Sequence, residues 1–130
     1  MADARFASLQ GRKYLNIETF RKSGQGVRTP VWFAGEPEDG PPEKLYVYST
    51  ADSGKAKRIR NNGRVRVASC DVRGKLVGEW IDARAEIVTG ADAEHGMQQL
   101  NKKYMPWKQL LDFFALFSRA KRVVFLIRPA

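Results

Sequence analysis

The sequence predicts a mainly β fold: a small barrel of largely antiparallel strands with short helices inserted between them. Three observations carry that reading. Five to seven short stretches alternate apolar and polar residues, the period of a strand with one buried face. Glycine-rich turns join neighbouring stretches, so hairpins dominate the topology and a barrel is favoured over a sandwich. At 130 residues the chain has the size of one domain around one hydrophobic core, and a hydrophobic content of 43% is that of a globular protein.

Taken in order, residues 3–10 read as a short helix covering an end of the fold. Lys13–Arg21 alternates, with Leu15 and Ile17 apolar, and forms the first strand. Ser23-Gly-Gln-Gly26 supplies a turn into a second strand, Val27–Ala34. Pro30 lacks a ladder donor and therefore implies an edge position or a bulge there. Glu36–Glu43 is rich in proline and acid and reads as an exposed loop. Lys44–Thr50 is a third strand, with Leu45, Val47 and Ser49 on one face and Tyr46, Tyr48 and Thr50 on the other. Ser53–Asn62 reads as a helix capped by Ser53 or Asp52. Arg64–Val72 and Trp80–Val88 alternate again on either side of the turn Arg73-Gly-Lys75. Ala91–Tyr104 and Trp107–Arg119 are helical, the apolar stretch Tyr104–Trp107 breaking between them, and Arg122–Arg128 is the last strand. The helical stretch before that strand is the one long crossover expected.

The net charge of +9 raises the question of nucleic acid. The cations are spread along the chain, however, and no aromatic-interleaved basic motif, helix-turn-helix pattern or zinc finger accompanies them. A basic surface around an anionic cofactor has the same composition. The longest apolar run near the C-terminus, Val123–Ile127, is far too short to span a membrane. No secretory leader is evident, and a lone cysteine, Cys70, suits a cytoplasmic protein without disulfides. With His95 as the only histidine, no metal site is expected.

The most informative segment runs from Leu45 to Arg60. An alternating strand leads into hydroxyl residues, a glycine and then four cations, Lys55, Lys57, Arg58 and Arg60. A strand-to-helix junction of this kind suits an anion, because free N–H groups and the helix dipole favour negative charge and lysine supplies the counter-charge. Lys55 lies in the first turn and is the leading phosphate ligand, with Lys57 second. Lys57 and Arg60 share a face and Arg58 is expected to project elsewhere.

The residues Arg28-Thr-Pro-Val-Trp-Phe33, Leu45-Tyr-Val-Tyr-Ser-Thr50, Ser53-Gly-Lys-Ala-Lys-Arg-Ile-Arg60 and Asn62-Gly-Arg-Val-Arg-Val67 together resemble the flavin-binding split β-barrel superfamily, typified by pyridoxamine 5'-phosphate oxidase. With Cys70-Asp-Val-Arg-Gly74, the chain is most similar to the branch of deazaflavin-dependent enzymes. The resemblance implies a homodimer with the cofactor at the subunit interface, and a deazaflavin, coenzyme F420, in preference to FMN. It implies that Arg28, Thr29, Pro30, Val31 and Trp32 lie beside the cofactor, with Phe33 at the end of that strand. It also implies that Ser49, Thr50, Ser53, Gly54, Lys55 and Lys57 surround the phosphate. Gly54 stands where the oxidases carry an arginine, and no counterpart of their C-terminal substrate residues is present, which argues against pyridoxamine phosphate as substrate.

The expected activity is therefore a redox reaction on a small organic molecule, with the cofactor carrying the hydride. No side chain offers itself as general acid. Cys70 has no histidine near it in sequence and reads as a buried thiol. His95 reads as an exposed helix residue, and Trp32 and Trp80 as packing side chains able to stack on a ring. Three alternatives stand beside this: FMN in the same pocket, a flavin-binding protein without catalysis, and a basic barrel stacking single-stranded nucleic acid on Tyr46, Tyr48, Trp32 and Trp80.

Overall fold

A computed structural model describes residues 4–104 and 122–130. The helix expected over Trp107–Arg119 and the break after Tyr104 fall outside them. A 3₁₀ helix, Ala4–Leu9, precedes the strands β1 (Tyr14–Phe20), β2 (Gly26–Glu36) and β3 (Lys44–Thr50). Helix α1 (Gly54–Asn61), strands β4 (Arg64–Cys70) and β5 (Ile81–Val88), helix α2 (Gly90–Tyr104) and strand β6 (Arg122–Pro129) follow. The strands close into a barrel in the order β1-β2-β3-β6-β5-β4, with every pairing antiparallel. The mainly β barrel expected from the alternation is what forms. The crossover lies elsewhere than expected: β5 and β6 are neighbours, and α1 is the connection that carries the chain between strands that do not pair, β3 and β4.

Turn chemistry sets the registers. The Arg21 N–H donates to Gln25 O at 2.9 Å and the Gly24 N–H to Arg21 O at 2.8 Å, with Gly24 at φ 91°. The later turn repeats this pattern, Asp71 N–H to Lys75 O and Gly74 N–H to Asp71 O, with Gly74 at φ 89°. Both positions need a left-handed residue, which glycine adopts without strain. Counting back from Arg21 and Gln25, Pro30 falls opposite Asn16 at a position that exchanges no hydrogen bonds with β1. The ladder to β3 begins only at Phe33↔Val47. The missing N–H of Pro30 therefore points to the open side of β2, the edge position its sequence implies.

Two apolar clusters organise the packing. Leu15, Ile17, Phe33, Leu45, Val47, Val65, Val67, Phe125 and Ile127 fill the barrel, joined by Phe6 and Leu9 of the 3₁₀ helix. Ala56 and Ile59 bring α1 onto the same cluster. Outside the wall, Ala34, Tyr46, Val124 and Leu126 pack against Leu100 of α2. Covered on both sides, β3 buries Tyr46 as fully as Leu45, which removes Tyr46 from any exposed stacking platform. His95 is no free surface residue either: its Nε2 meets Glu36 Oε2 at 2.5 Å and its ring stands edge-on to Tyr46. Gly96 lets the helix approach, since a Cβ there would stand 2.8 Å from both Tyr46 Cδ1 and Val124 Cγ1.

Replacing Gly96 with leucine should push α2 off the sheet and cost about 1–3 kcal/mol by overpacking. Urea unfolding would read the loss, and hydrogen exchange should locate it in α2 before the barrel strands.

Candidate functional site

Where β2 and β3 part, the barrel wall opens into a groove of about 290 Å³. Pro30, Val31 and Trp32 form one bank, and Tyr48, Ser49 and Lys55 the other, with Tyr14 and Val72 completing it. Five residues expected around a cofactor thus meet in one depression: Pro30, Val31, Trp32, Ser49 and Lys55. Tyr14 arrives because β1 pairs it with Trp32, and Val72 because the Asp71–Lys75 turn folds back over β1 and β2. That fold-back is fixed by the Asn16 side-chain amide, which donates to Gly74 O at 3.0 Å.

Helix α1 starts at the edge of this groove. Ser53 is its N-cap, the hydroxyl oxygen accepting the Ala56 N–H at 3.1 Å and the Ser49 hydroxyl at 2.9 Å. The Thr50 carbonyl accepts the Ser53 N–H at 3.1 Å, so its part is in the turn rather than the groove lining. Lys55 is half-buried, whereas the Lys57 side chain is exposed and outside the groove. Arg58 folds back along the helix: its Nε donates to the buried Thr19 hydroxyl at 2.6 Å, and its guanidinium covers Gly54. Burial, then the charge of Arg58, pushes the Lys55 pKa below its ordinary value. Burial, then Arg21, does the same to Arg58. Among the described residues no ion pair engages either cation.

The Arg28 side chain turns to another task. In register across three strands, Arg28 and Arg66 flank Glu18. Arg28 Nε donates to one carboxylate oxygen at 3.0 Å and Arg66 Nε to the other at 2.6 Å. Both guanidinium groups lie over the Trp80 ring, 4.8 and 5.1 Å from its centroid. Trp80 therefore stacks on arginines here. Glu18 is buried beneath them, over Gly26, where a Cβ would fall on its carboxylate. Thr29, between Arg28 and Pro30, is half-buried. Cys70 is buried, and burial followed by the charge of Asp71 raises its thiol pKa, which suits a packing role. Among the described residues no group of three His, Cys, Asp or Glu side chains is placed to hold a metal.

The family model for pyridoxamine 5'-phosphate oxidase matches residues 1–130, and the chain belongs to that family of split β-barrels, in which flavin-type cofactors are the general ligands. No curated protein matches it in sequence. Among solved structures it is similar to a protein of unknown function from Agrobacterium tumefaciens, with a TM-score of 0.71 and 15% identity. That alignment covers 96% of this chain and 52% of the other, so this chain spans about half that relative's length. A conserved hypothetical protein from Mycobacterium tuberculosis aligns over 99% of this chain and 81% of its own, with a TM-score of 0.68 and 23% identity. A structure described as an F420 reductase aligns over 100% of this chain and 96% of its own, with a TM-score of 0.60 and 20% identity. At these identities the likeness is one of fold. No helix among the described residues is long and apolar enough to cross a membrane.

The Glu18 cluster yields a pH test. Burial pushes the carboxyl up, but hydrogen bonds and charge from Arg28 and Arg66 outweigh it and hold its pKa below the usual 4.5. A carboxyl lowered on folding contributes stability above its unfolded pKa, and that contribution is lost as pH falls through the folded value. Glu18→Gln should cost about 1–3 kcal/mol at neutral pH, toward the low end because both arginines are partly exposed. Denaturation across acid pH should show a shallower decline below about 4.5 in the variant than in the parent.

Proposed function

We propose that this protein is an oxidoreductase that binds a flavin-type cofactor, FMN in the first instance, with the phosphate at Ser49, Ser53 and Lys55. The ring would lie along Pro30–Trp32. One observation supports this above the others. Among the described residues, Lys55 and Arg58 are partly buried cations without carboxylate partners, beside a helix N-terminus and a groove. Such charges are stabilised by an anion. The groove also offers Trp32, Tyr48 and Tyr14 as aromatic walls for a planar ring. A bound flavin supplies hydride transfer; the chain's own part is to hold the ring, exclude water on one side and supply positive charge.

A groove of about 290 Å³ falls just below the range that encloses small ligands, about 300–1,000 Å³. A second copy completing it is part of the proposal. Val72, which lines the groove, is 63% exposed, and Leu76 and Val77 just beyond the same turn are exposed by 38% and 55%, apolar surface that such a copy would cover. The second reading is a deazaflavin, coenzyme F420, in the same place. Gly54, where the oxidases carry arginine, and the likeness in fold to an F420 reductase speak for it. The substrate is a small organic molecule reached from the open side of the groove, and the protein is proposed to work in the cytoplasm.

Titration of the purified protein with FMN and with F420, followed by fluorescence, tests the reading: saturable binding of either supports it. Binding of neither, together with salt-dependent binding of oligonucleotides, would sink it in favour of the nucleic-acid alternative. Lys55→Ala should weaken cofactor binding by about tenfold or more, the worth of a charge-assisted contact, while Lys75→Ala on the exposed turn should leave it unchanged. Equal affinities for the two variants would show that the phosphate site is misplaced.

A further inference from the structure

A second cavity, of about 230 Å³, lies where the 3₁₀ helix, the Phe33–Gly35 stretch of β2 and the last turns of α2 meet, and it shares no lining residue with the groove. Gly35 lets the following loop close over it: a Cβ there would stand 2.9 Å from Pro42, and the Glu43 N–H donates to Glu36 O at 2.8 Å. Leu9, Phe33, Pro37 and Pro42 give the cavity an apolar lining, and Lys103 stands in its wall. The Lys103 Nζ lies 3.6 Å from the centroid of the Phe33 ring and donates to Arg12 O at 2.5 Å. A ring face and a carbonyl replace only part of the hydration that an ammonium group loses in such surroundings. Burial accordingly lowers the Lys103 pKa to about 8, so near neutral pH a sizeable fraction of the amine carries a free lone pair. Desolvated lysines of this kind are nucleophiles toward carbonyl compounds.

We propose that Lys103 is a nucleophilic amine that captures a small neutral aldehyde or ketone in this cavity as an imine. The proposal is independent of the cofactor groove. The step balances without a further reagent: the amine nitrogen bonds to the carbonyl carbon, the C–O bond breaks, and the oxygen leaves as water with the two hydrogens of the nitrogen. Taking up one proton from solvent, the product regains an N–H for Arg12 O and a positive charge over the Phe33 ring. Size and charge decide the class of ligand. The cavity is smaller than the range of about 300–1,000 Å³ that encloses drug-sized ligands, so its occupant has few atoms. Among the described lining residues Glu38 of the loop is the one titratable group besides Lys103, the 3₁₀ helix and β2 contributing none. Glu38 is 66% exposed and meets Lys102 Nζ of α2 at 3.7 Å. Its carboxylate disfavours an anionic keto acid, and the apolar lining favours an uncharged carbon chain.

The test treats the full chain with limiting propanal, traps the imine with sodium cyanoborohydride and maps the alkylated lysines by mass spectrometry. Lys103 should be labelled about tenfold faster than the exposed Lys57 and Lys75, because more of its amine is neutral. That ratio should be largest below about pH 8 and shrink above it, as protonation ceases to separate the sites. Glyoxylate, an anionic aldehyde, should show a smaller preference for Lys103 than propanal does. Gln99→Phe, which narrows the cavity, should lower the labelling of Lys103 and leave Lys57 and Lys75 unchanged. Labelling of Lys103 no faster than that of Lys57 and Lys75 in the parent would overturn the proposal. An equal preference with propanal and glyoxylate, undiminished in Gln99→Phe, would overturn it also, since the cavity would then play no part in the capture. Should Gln99→Phe fail to fold, the comparison of the two aldehydes on the parent decides.

Discussion

Strand β2 serves two neighbours in succession, β1 along Gly26–Trp32 and β3 along Phe33–Glu36. Backbone N–H and C=O groups require partners when buried, so a strand in a closed barrel normally pairs on both sides throughout. Here Pro30 removes one donor where β3 is absent, and exposure of that stretch costs less than burial would. The opening of the wall, the groove and the seat for the start of α1 all follow from this change of neighbour.

Helix α1 depends on the same opening. Its apolar residues Ala56 and Ile59 enter the barrel cluster, which leaves the N-terminus at the gap with Ser53 already engaged as cap. Two turns of helix are marginal alone. The packing below therefore determines the direction of its free N–H groups and of Lys55. Opposite it, the Asp71–Lys75 turn lies over Asn16 and Pro30, and carries Val72 to the groove.

The strands were legible because each alternates cleanly and each turn carries glycine where a left-handed backbone is needed, at Gly24 and Gly74. The N-cap was legible from Ser53 and the groove's two banks from Pro30–Trp32 and Ser49–Lys55. Other features depend on distances that no local pattern encodes. Arg28 was assigned to the groove region by resemblance, yet its side chain pairs with Glu18 because the β1–β2 register places them opposite each other. That register was recoverable in principle by counting from the hairpin turn, as was the meeting of Tyr14 with Trp32. The return of Arg58 over Gly54 had a weaker signal, the three-residue spacing from Lys55. The burial of Tyr46 and the Glu36–His95 contact were invisible, since they arise only when α2 settles on the outer wall.

The lowered basicity of Lys55 and Arg58 has a consequence for the empty protein. A cation whose pKa falls on folding opposes folding while it is protonated, so at neutral pH both groups subtract from the stability supplied by the barrel. On the proposed reading, an anion that settles at the helix start returns part of what these buried charges withhold. Under that reading the melting temperature becomes a gauge of occupancy.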